Sequence, residues 1–277
     1  KKKNNIDEIH LDGENFPNLK NVICTLDFNN NLKLTNFENL NNLDIRDAQN
    51  FNSSLTLINL PQLTKLELSQ NYYKDLNFIN LPNLKELLLR YTQFDGTISF
   101  EGSNSLETLS LPYMFNKDIN YSQLGNLKKL SFHGDEFNKD IDFKSLVNLE
   151  ELNFGATSIY DKNINLKELP KLRKLTLSKV TVNRLFFENN FMFGENLREF
   201  EGKIPSDIKL DFNYIKNIEI LKINSNDFNN DFIFNTSDMD PIMKNLKELN
   251  INCDNLNKDI IIHNYTNLHT FVFNSEL

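Results

Sequence analysis

The sequence contains no Trp, two Cys, seven Pro and eight Gly in 277 residues, and each shortage removes a class of explanation. Eight glycines leave little material for a phosphate cradle, and no GxGxxG, Walker-type or GxSxG motif is present. The four histidines, His10, His133, His263 and His269, belong to different repeat units and form no HExxH or HxxxH pair to set two metal ligands on one helix face. A catalytic centre, a metal and a cofactor are therefore all unexpected. Cys24 and Cys253 lie near opposite ends of the chain, beyond disulfide reach in an elongated protein. The net charge is −8 with basic residues dispersed, so there is no stripe to neutralise phosphates and nucleic acid is not an expected partner. No run of eighteen apolar residues occurs, so no membrane insertion by a helix is expected. The chain opens Lys1-Lys2-Lys3 and stops at Leu277 on a fresh repeat, which reads as a processed or trimmed chain whose signal peptide or anchor, if it had one, is gone.

What the chain has in excess is Asn, roughly one residue in six, interleaved with Leu, Ile and 23 Phe. Asn tolerates left-handed backbone angles and bonds nearby backbone through its side chain, so it can make tight turns where Gly and Pro are scarce. An AT-rich genome would also favour Asn, Lys, Ile and Phe. Both causes fit the composition.

A repeat accounts for the apolar residues. Its clearest copies are Leu63-xx-Leu66-x-Leu68, Leu84-xx-Leu87-x-Leu89, Leu106-xx-Leu109-x-Leu111, Leu127-xx-Leu130-x-Phe132, Leu149-xx-Leu152-x-Phe154 and Leu172-xx-Leu175-x-Leu177; successive starts differ by 21, 22, 21, 22 and 23. The second half of each unit is patterned as well, as in Phe94, Ile98, Phe100 and in Phe115, Ile119, Tyr121, Leu124. Weaker copies start at Leu19, Leu40, Leu197, Ile218, Leu246 and Leu268, for about twelve units with the last truncated. The pattern LxxLxLxxxxFxxxIxLxxLxN resembles the leucine-rich-repeat family, near its short repeats, and covers almost the whole chain. The runs Phe115-Asn116-Lys117-Asp118-Ile119 and Phe137-Asn138-Lys139-Asp140-Ile141 are also similar to short F-N-x-x-I repeats. The family's Asn after LxxLxL stands at Asn71 and Asn226, with Thr92, Asp135, Thr157 and Asp254 at the equivalent place elsewhere, so a looser ladder is expected.

The resemblance implies an α/β, largely β solenoid: a curved parallel sheet on the concave side, and a convex side that the period-two Ile-x-Phe pair makes extended or 3₁₀. Residues 1–39 are expected to form an atypical repeat or cap, with Val22, Cys24, Leu26 and Phe28 and then Leu32 and Leu34 reading as strand, turn, strand; residues 40–277 are expected to be one continuous solenoid. Two units are swollen, 172–196 around Phe186–Phe193 and 218–245 around Ser237–Pro241, and both are expected to fill local bends. The acidic residues Asp227, Asp231, Asp238 and Asp240 lack EF-hand spacing and read as a solvated loop.

Function then falls to the outward positions of the sheet. The central units place Leu88, Arg90, Tyr91, Tyr113 and His133 there, an apolar, aromatic and guanidinium set of the kind enriched at interface hot spots. Gly134, Gly155 and Ala156 beside them read as a bare floor, and Arg46, Asp47, Glu67, Arg173, Lys174, Lys179, Glu199, Glu201 and Lys203 as a mixed-charge rim. The expected activity is non-enzymatic: binding of a protein partner on the concave face, with a structural or adhesive repeat acting by self-association as the alternative. A cell surface is the expected setting, and cytosol the alternative. The oligomeric state is left open.

Overall fold

The computed structural model describes residues 7–89, 92–155, 160, 162, 164–181, 195–204, 215–228, 234–235, 239–256 and 260–275, without the side chains of 178–181, 226–228 and 256. The chain divides into two compact units, Lys1–Leu146 and Val147–Leu277.

In unit 1 the LxxLxL frame makes one parallel sheet, here the broad sheet, and the segment after it makes another, the narrow sheet. The narrow sheet runs β1 (Glu8–Asp12), β3 (Asn31–Thr35), β5 (Leu55–Ile58), β7 (Leu76–Ile79) and β9 (Ile98–Glu101). The broad sheet runs β2 (Asn21–Ile23), β4 (Asn42–Asp44), β6 (Lys65–Glu67), β8 (Glu86–Leu88), β10 (Thr108–Leu111) and β11 (Lys129–Phe132). Registers hold the leucines in line, Leu66 on Leu87, Leu87 on Leu109 and Leu109 on Leu130, and all four are fully buried. A one-residue slip would turn every one of them to solvent, which fixes the register.

The expected strand, turn and strand near the amino terminus do not pair with each other. β2 joins β4 in the broad sheet while β3 lies between β1 and β5 in the narrow one, so this segment is not a hairpin and gives one strand to each sheet.

The convex side is extended early and 3₁₀ later, and the residue pair after its last inward residue explains the change. In the strand coils this pair is Thr35-Asn36, Ile58-Asn59 or Ile79-Asn80, a β-branched residue and then an Asn at φ 54 to 58; in β9 it is Glu101-Gly102, with Gly102 at φ 68. In the 3₁₀ turns Tyr121–Gln123 and Phe143–Ser145 the pair is Ser122-Gln123 or Lys144-Ser145, which favours helical angles. Asn120 Oδ1 caps the first of these turns by accepting from Ser122 N at 3.1 Å.

The left-handed asparagines form a ladder. Asn80 Nδ2 donates to Asn59 Oδ1 at 2.9 Å, Asn59 Nδ2 to Asn36 Oδ1 at 2.7 Å, and Asn36 Nδ2 to Asp12 Oδ2 at 3.1 Å. All the donors point toward one carboxylate, which also accepts from Thr35 Oγ1 at 2.7 Å and from Glu14 N at 3.0 Å. Because the only proton of the Thr35 hydroxyl goes to Asp12, His10 Nε2 is the donor in its 3.1 Å contact with Thr35. A second Asn set precedes the first Leu of several coils: Asn39, Asn83 and Asn126 donate to the carbonyls of Pro17, Pro61 and Asn104 one coil back. The family-type position is used less regularly. Asn71 bonds the Gln49 carbonyl, whereas Thr92 bonds only its own turn.

The Asp12 carboxyl is held below its ordinary 3.8, first by the Glu14 amide and then by Thr35, against a smaller opposing effect of desolvation. A depressed carboxylate gives stability that is complete above its unfolded value and lost as pH falls through the folded value. Wild type is therefore expected to lose more melting temperature than Asp12→Asn on acidification from about pH 6 to about pH 3. Parallel losses in the two proteins would remove Asp12 from the acid response.

Inside unit 1 a column of rings runs Phe28, Phe51, Tyr72, Phe94, Phe115 and Phe137, with successive centroids 5.4, 5.4, 6.2, 6.0 and 6.3 Å apart. From Tyr72 onward the planes lie within 12° of parallel.

Unit 2 continues the same grammar with longer strands: β12 (Glu151–Asn153), β13 (Lys174–Thr181), β14 (Glu199–Lys203), β15 (Ile220–Phe228), β16 (Glu248–Leu256) and β17 (Thr270–Ser275), parallel and in chain order. A 3₁₀ turn at Leu166–Glu168 repeats the Asn cap, through Asn165. The register of β13 on β14 shifts between Leu177 and Thr181, just before the first swollen segment. That segment, 182–194, lies outside the described residues. In the second swollen unit, the buried Asn235 donates to the carbonyls of Met239 and His263 and accepts from His263 N, so the loop is pinned to the following coil.

Candidate protein-binding face

Charged side chains on the outward side of the unit 1 broad sheet pair with one another. Arg46 sits 2.8 Å from Asp44 and 3.7 Å from Glu67. Lys65 lies 3.5 Å from Glu67 and 3.9 Å from Glu86, and Glu107 is flanked by Lys85 at 3.5 Å and Lys128 at 2.8 Å. The Arg46 hydrogen bond holds the Asp44 carboxyl below its ordinary range, and Lys128 does the same for Glu107. Exposed pairs like these add little to stability, and their main effect is to leave the face without a net field of one sign. Unit 2 repeats the arrangement with Lys174 on Glu199 at 2.7 Å, Lys222 on Glu248 at 3.0 Å and Lys247 on Glu219 at 2.6 Å.

Against that background the apolar outward groups stand out. Leu88 is half-buried on β8, registered between Glu67 and Ser110. Beyond β10 the buried Pro112 ends the strand, and the chain turns through Tyr113 and Met114, closed by Phe115 N on the Pro112 carbonyl at 3.4 Å. Tyr113 is 55% and Met114 53% exposed at the tip of this turn. His133 is half-buried, its Nε2 2.9 Å from Ser110 Oγ on the neighbouring strand, so its ring is tied down. The structure thus brings His133 onto the strand that carries Ser110, next to Leu88. Arg90 and Tyr91 lie outside the described residues.

Met114 was not legible as an outward residue, because it falls beyond the LxxLxL frame; Pro112 was the available signal, since a proline stops the strand and lets the next two residues turn out. The bare floor is corrected. Gly134 is buried, and a Cβ there would overlap the Tyr113 carbonyl, so this glycine makes room for the protein's own chain. Ala156 lies outside the described residues.

Cys24 and Cys253 are buried free thiols. Burial pushes Cys24 up to about 11, which makes it a poor nucleophile. Among the described residues no three His, Cys, Asp or Glu side chains are grouped to hold a metal ion, and no helix is long and apolar enough to cross a membrane. Of the acidic loop residues, Asp231 and Asp238 lie outside the described residues, as does the Asp227 side chain, and Asp240 is exposed.

No family model matches the chain. No curated protein matches it either. Among solved structures, the functional domain of InlJ from Listeria monocytogenes, which includes a cysteine ladder, has a TM-score of 0.50 at 15% identity over 98% of this chain and 64% of that one. An internalin from Listeria monocytogenes gives 0.47 at 15% identity over 98% and 82% of the two chains, and a leucine-rich-repeat protein of Leptospira interrogans 0.49 at 18% over 90% and 80%. The first likeness, together with the coils described above, shows the fold: a leucine-rich-repeat solenoid, with almost no helix.

Proposed function

We propose that this leucine-rich-repeat solenoid is a protein-binding module, and that its partner docks on the outward face of the unit 1 broad sheet. Leu88, Tyr113 and Met114 are its apolar anchors, His133 a fixed polar contact, and Arg90 and Tyr91 complete the set. The observation that carries this reading is the Tyr113-Met114 turn, two large side chains more than half exposed at the end of a face whose charges are already paired. A buried aromatic or apolar anchor within a polar rim is how most interface energy is concentrated. On the same reading residues 1–39 serve as the amino-terminal cap, the setting is a cell surface, and the protein is not an enzyme.

The test is photo-crosslinking with benzoylphenylalanine at position 88 or 113, and at Asn77 on the narrow sheet as control, in extracts of the organism and of its contact cells. A partner captured from 88 and 113 but not from 77 is expected, and the purified partner should bind Tyr113→Ala at least about tenfold more weakly. Equal capture from position 77 would refute the docking face. The alternative, self-association, draws on Phe271 and Phe273 of β17, 51% and 38% exposed. It predicts crosslinks between copies of this chain from position 271.

A further inference from the structure

On unit 2 a second amide ladder runs across β15, β16 and β17. Asn274 Nδ2 donates to Asn252 Oδ1 at 2.6 Å, and Asn252 Nδ2 donates to Asn224 Oδ1 at 2.9 Å. This ladder borders a cavity of about 400 Å³, lined by Asn252, Cys253, Asp254, Phe273, Asn274 and Ser275. That volume lies within the range of small-molecule sites.

The lining selects a chemistry. Asp254 is its one charged group among the described residues, so an anionic ligand meets repulsion there. A metal cation would need further oxygen ligands, and no cluster of three acidic, His or Cys side chains exists among the described residues. A neutral ligand remains. Within the ladder Asn252 spends one N–H on Asn224 and one lone pair on Asn274, and Asn274 spends one N–H on Asn252, so the two amides offer further donors and acceptors side by side. A carboxylate beside them can accept from two adjacent hydroxyls at once. Vicinal hydroxyls on a carbon ring, each both donor and acceptor, match that set.

We infer that Asn252, Asp254 and Asn274 form a binding site for a neutral saccharide. The site is independent of the protein-binding face, and its amides are already ordered by each other, so binding costs them little rotamer freedom.

Titration of the 277-residue chain with the methyl glycosides of glucose, galactose, mannose and N-acetylglucosamine, followed through the side-chain amide NMR signals of Asn252 and Asn274, tests this. Saturable binding of at least one, with a Kd on the order of 1 mM, is expected. Asp254→Asn should weaken it at least about tenfold, since one shared charge-assisted acceptor is lost, and Asn274→Ala comparably. Asp254 is exposed, so Asp254→Asn should fold, and an unchanged melting curve verifies that. No response to any of the four sugars, or equal binding by Asp254→Asn and wild type, would overturn the assignment.

Discussion

Phe115→Ala is expected to destabilise unit 1 by about 3–5 kcal/mol, read as a fall in the urea midpoint of the transition that reports this unit. Phe115 is 1% exposed and stacks on Phe94 and Phe137 at 6.0 and 6.3 Å, so its removal opens a void between two rings that cannot close on each other. In a solenoid each coil touches only its neighbours, so the lost contact interrupts the chain of interfaces that makes the coils cooperative. Hydrogen exchange should therefore quicken most in the coils on either side of position 115, with β1 and β3 keeping their protection. Phe115→Leu keeps most of the volume and should cost appreciably less. Phe94→Ala combined with Phe115→Ala should cost less than the sum of the two, because the second substitution removes a ring that has already lost one of its stacking partners. A loss below about 1 kcal/mol for Phe115→Ala would mean that the ring column is incidental to stability.

The Leu frame made most of this fold legible. Leu66, Leu87, Leu109 and Leu130 recur at solenoid spacing, and the structure stacks them in that order. The change from strand to 3₁₀ on the other side was equally written in the chain, at Ile58-Asn59 and Ile79-Asn80 against Ser122-Gln123. It went unread because the apolar pattern around these pairs is the same, and only the backbone preference of two residues differs. Asparagine was harder. It serves as a left-handed corner at Asn59, a bond to the preceding coil at Asn83, a 3₁₀ cap at Asn120 and an outward amide ladder at Asn252. A residue type so abundant marks none of these uses by its mere presence.

The candidate face was partly legible. Counting from the frame placed Leu88, Tyr113 and His133 together at outward positions of the sheet; Leu88 is on β8, whereas Tyr113 stands on the turn after Pro112 and His133 just past the end of β11. It could not show that His133 is tethered to Ser110, since that contact joins residues 23 apart. Nor could it separate the two meanings of a glycine. A missing side chain leaves space, and sequence alone does not say whether a partner or the protein's own backbone fills it.

Gly134 shows which of the two applies, and Gly134→Ala is expected to be as damaging as a core truncation, at about 3 kcal/mol or more. Its φ is not positive, so alanine would suit the backbone conformation itself. The obstacle is the neighbouring coil: a Cβ would fall on the carbonyl carbon, the oxygen and the Cα of Tyr113, all main-chain atoms that cannot rotate away. The Tyr113-Met114 turn must then move, so the substitution should weaken partner binding together with stability. Gly125→Ala supplies the comparison. There the nearest atom to a Cβ is the Ser145 carbonyl oxygen at 3.7 Å, an ordinary contact, and φ is again not positive. Alanine at 125 should leave stability unchanged or raise it by up to about 1 kcal/mol, through the reduced freedom of the unfolded chain. Thermal and urea unfolding of the two variants decide the matter. Equal tolerance at both positions would show that the Tyr113 turn gives way easily, and would leave that turn too soft to act as a preformed anchor.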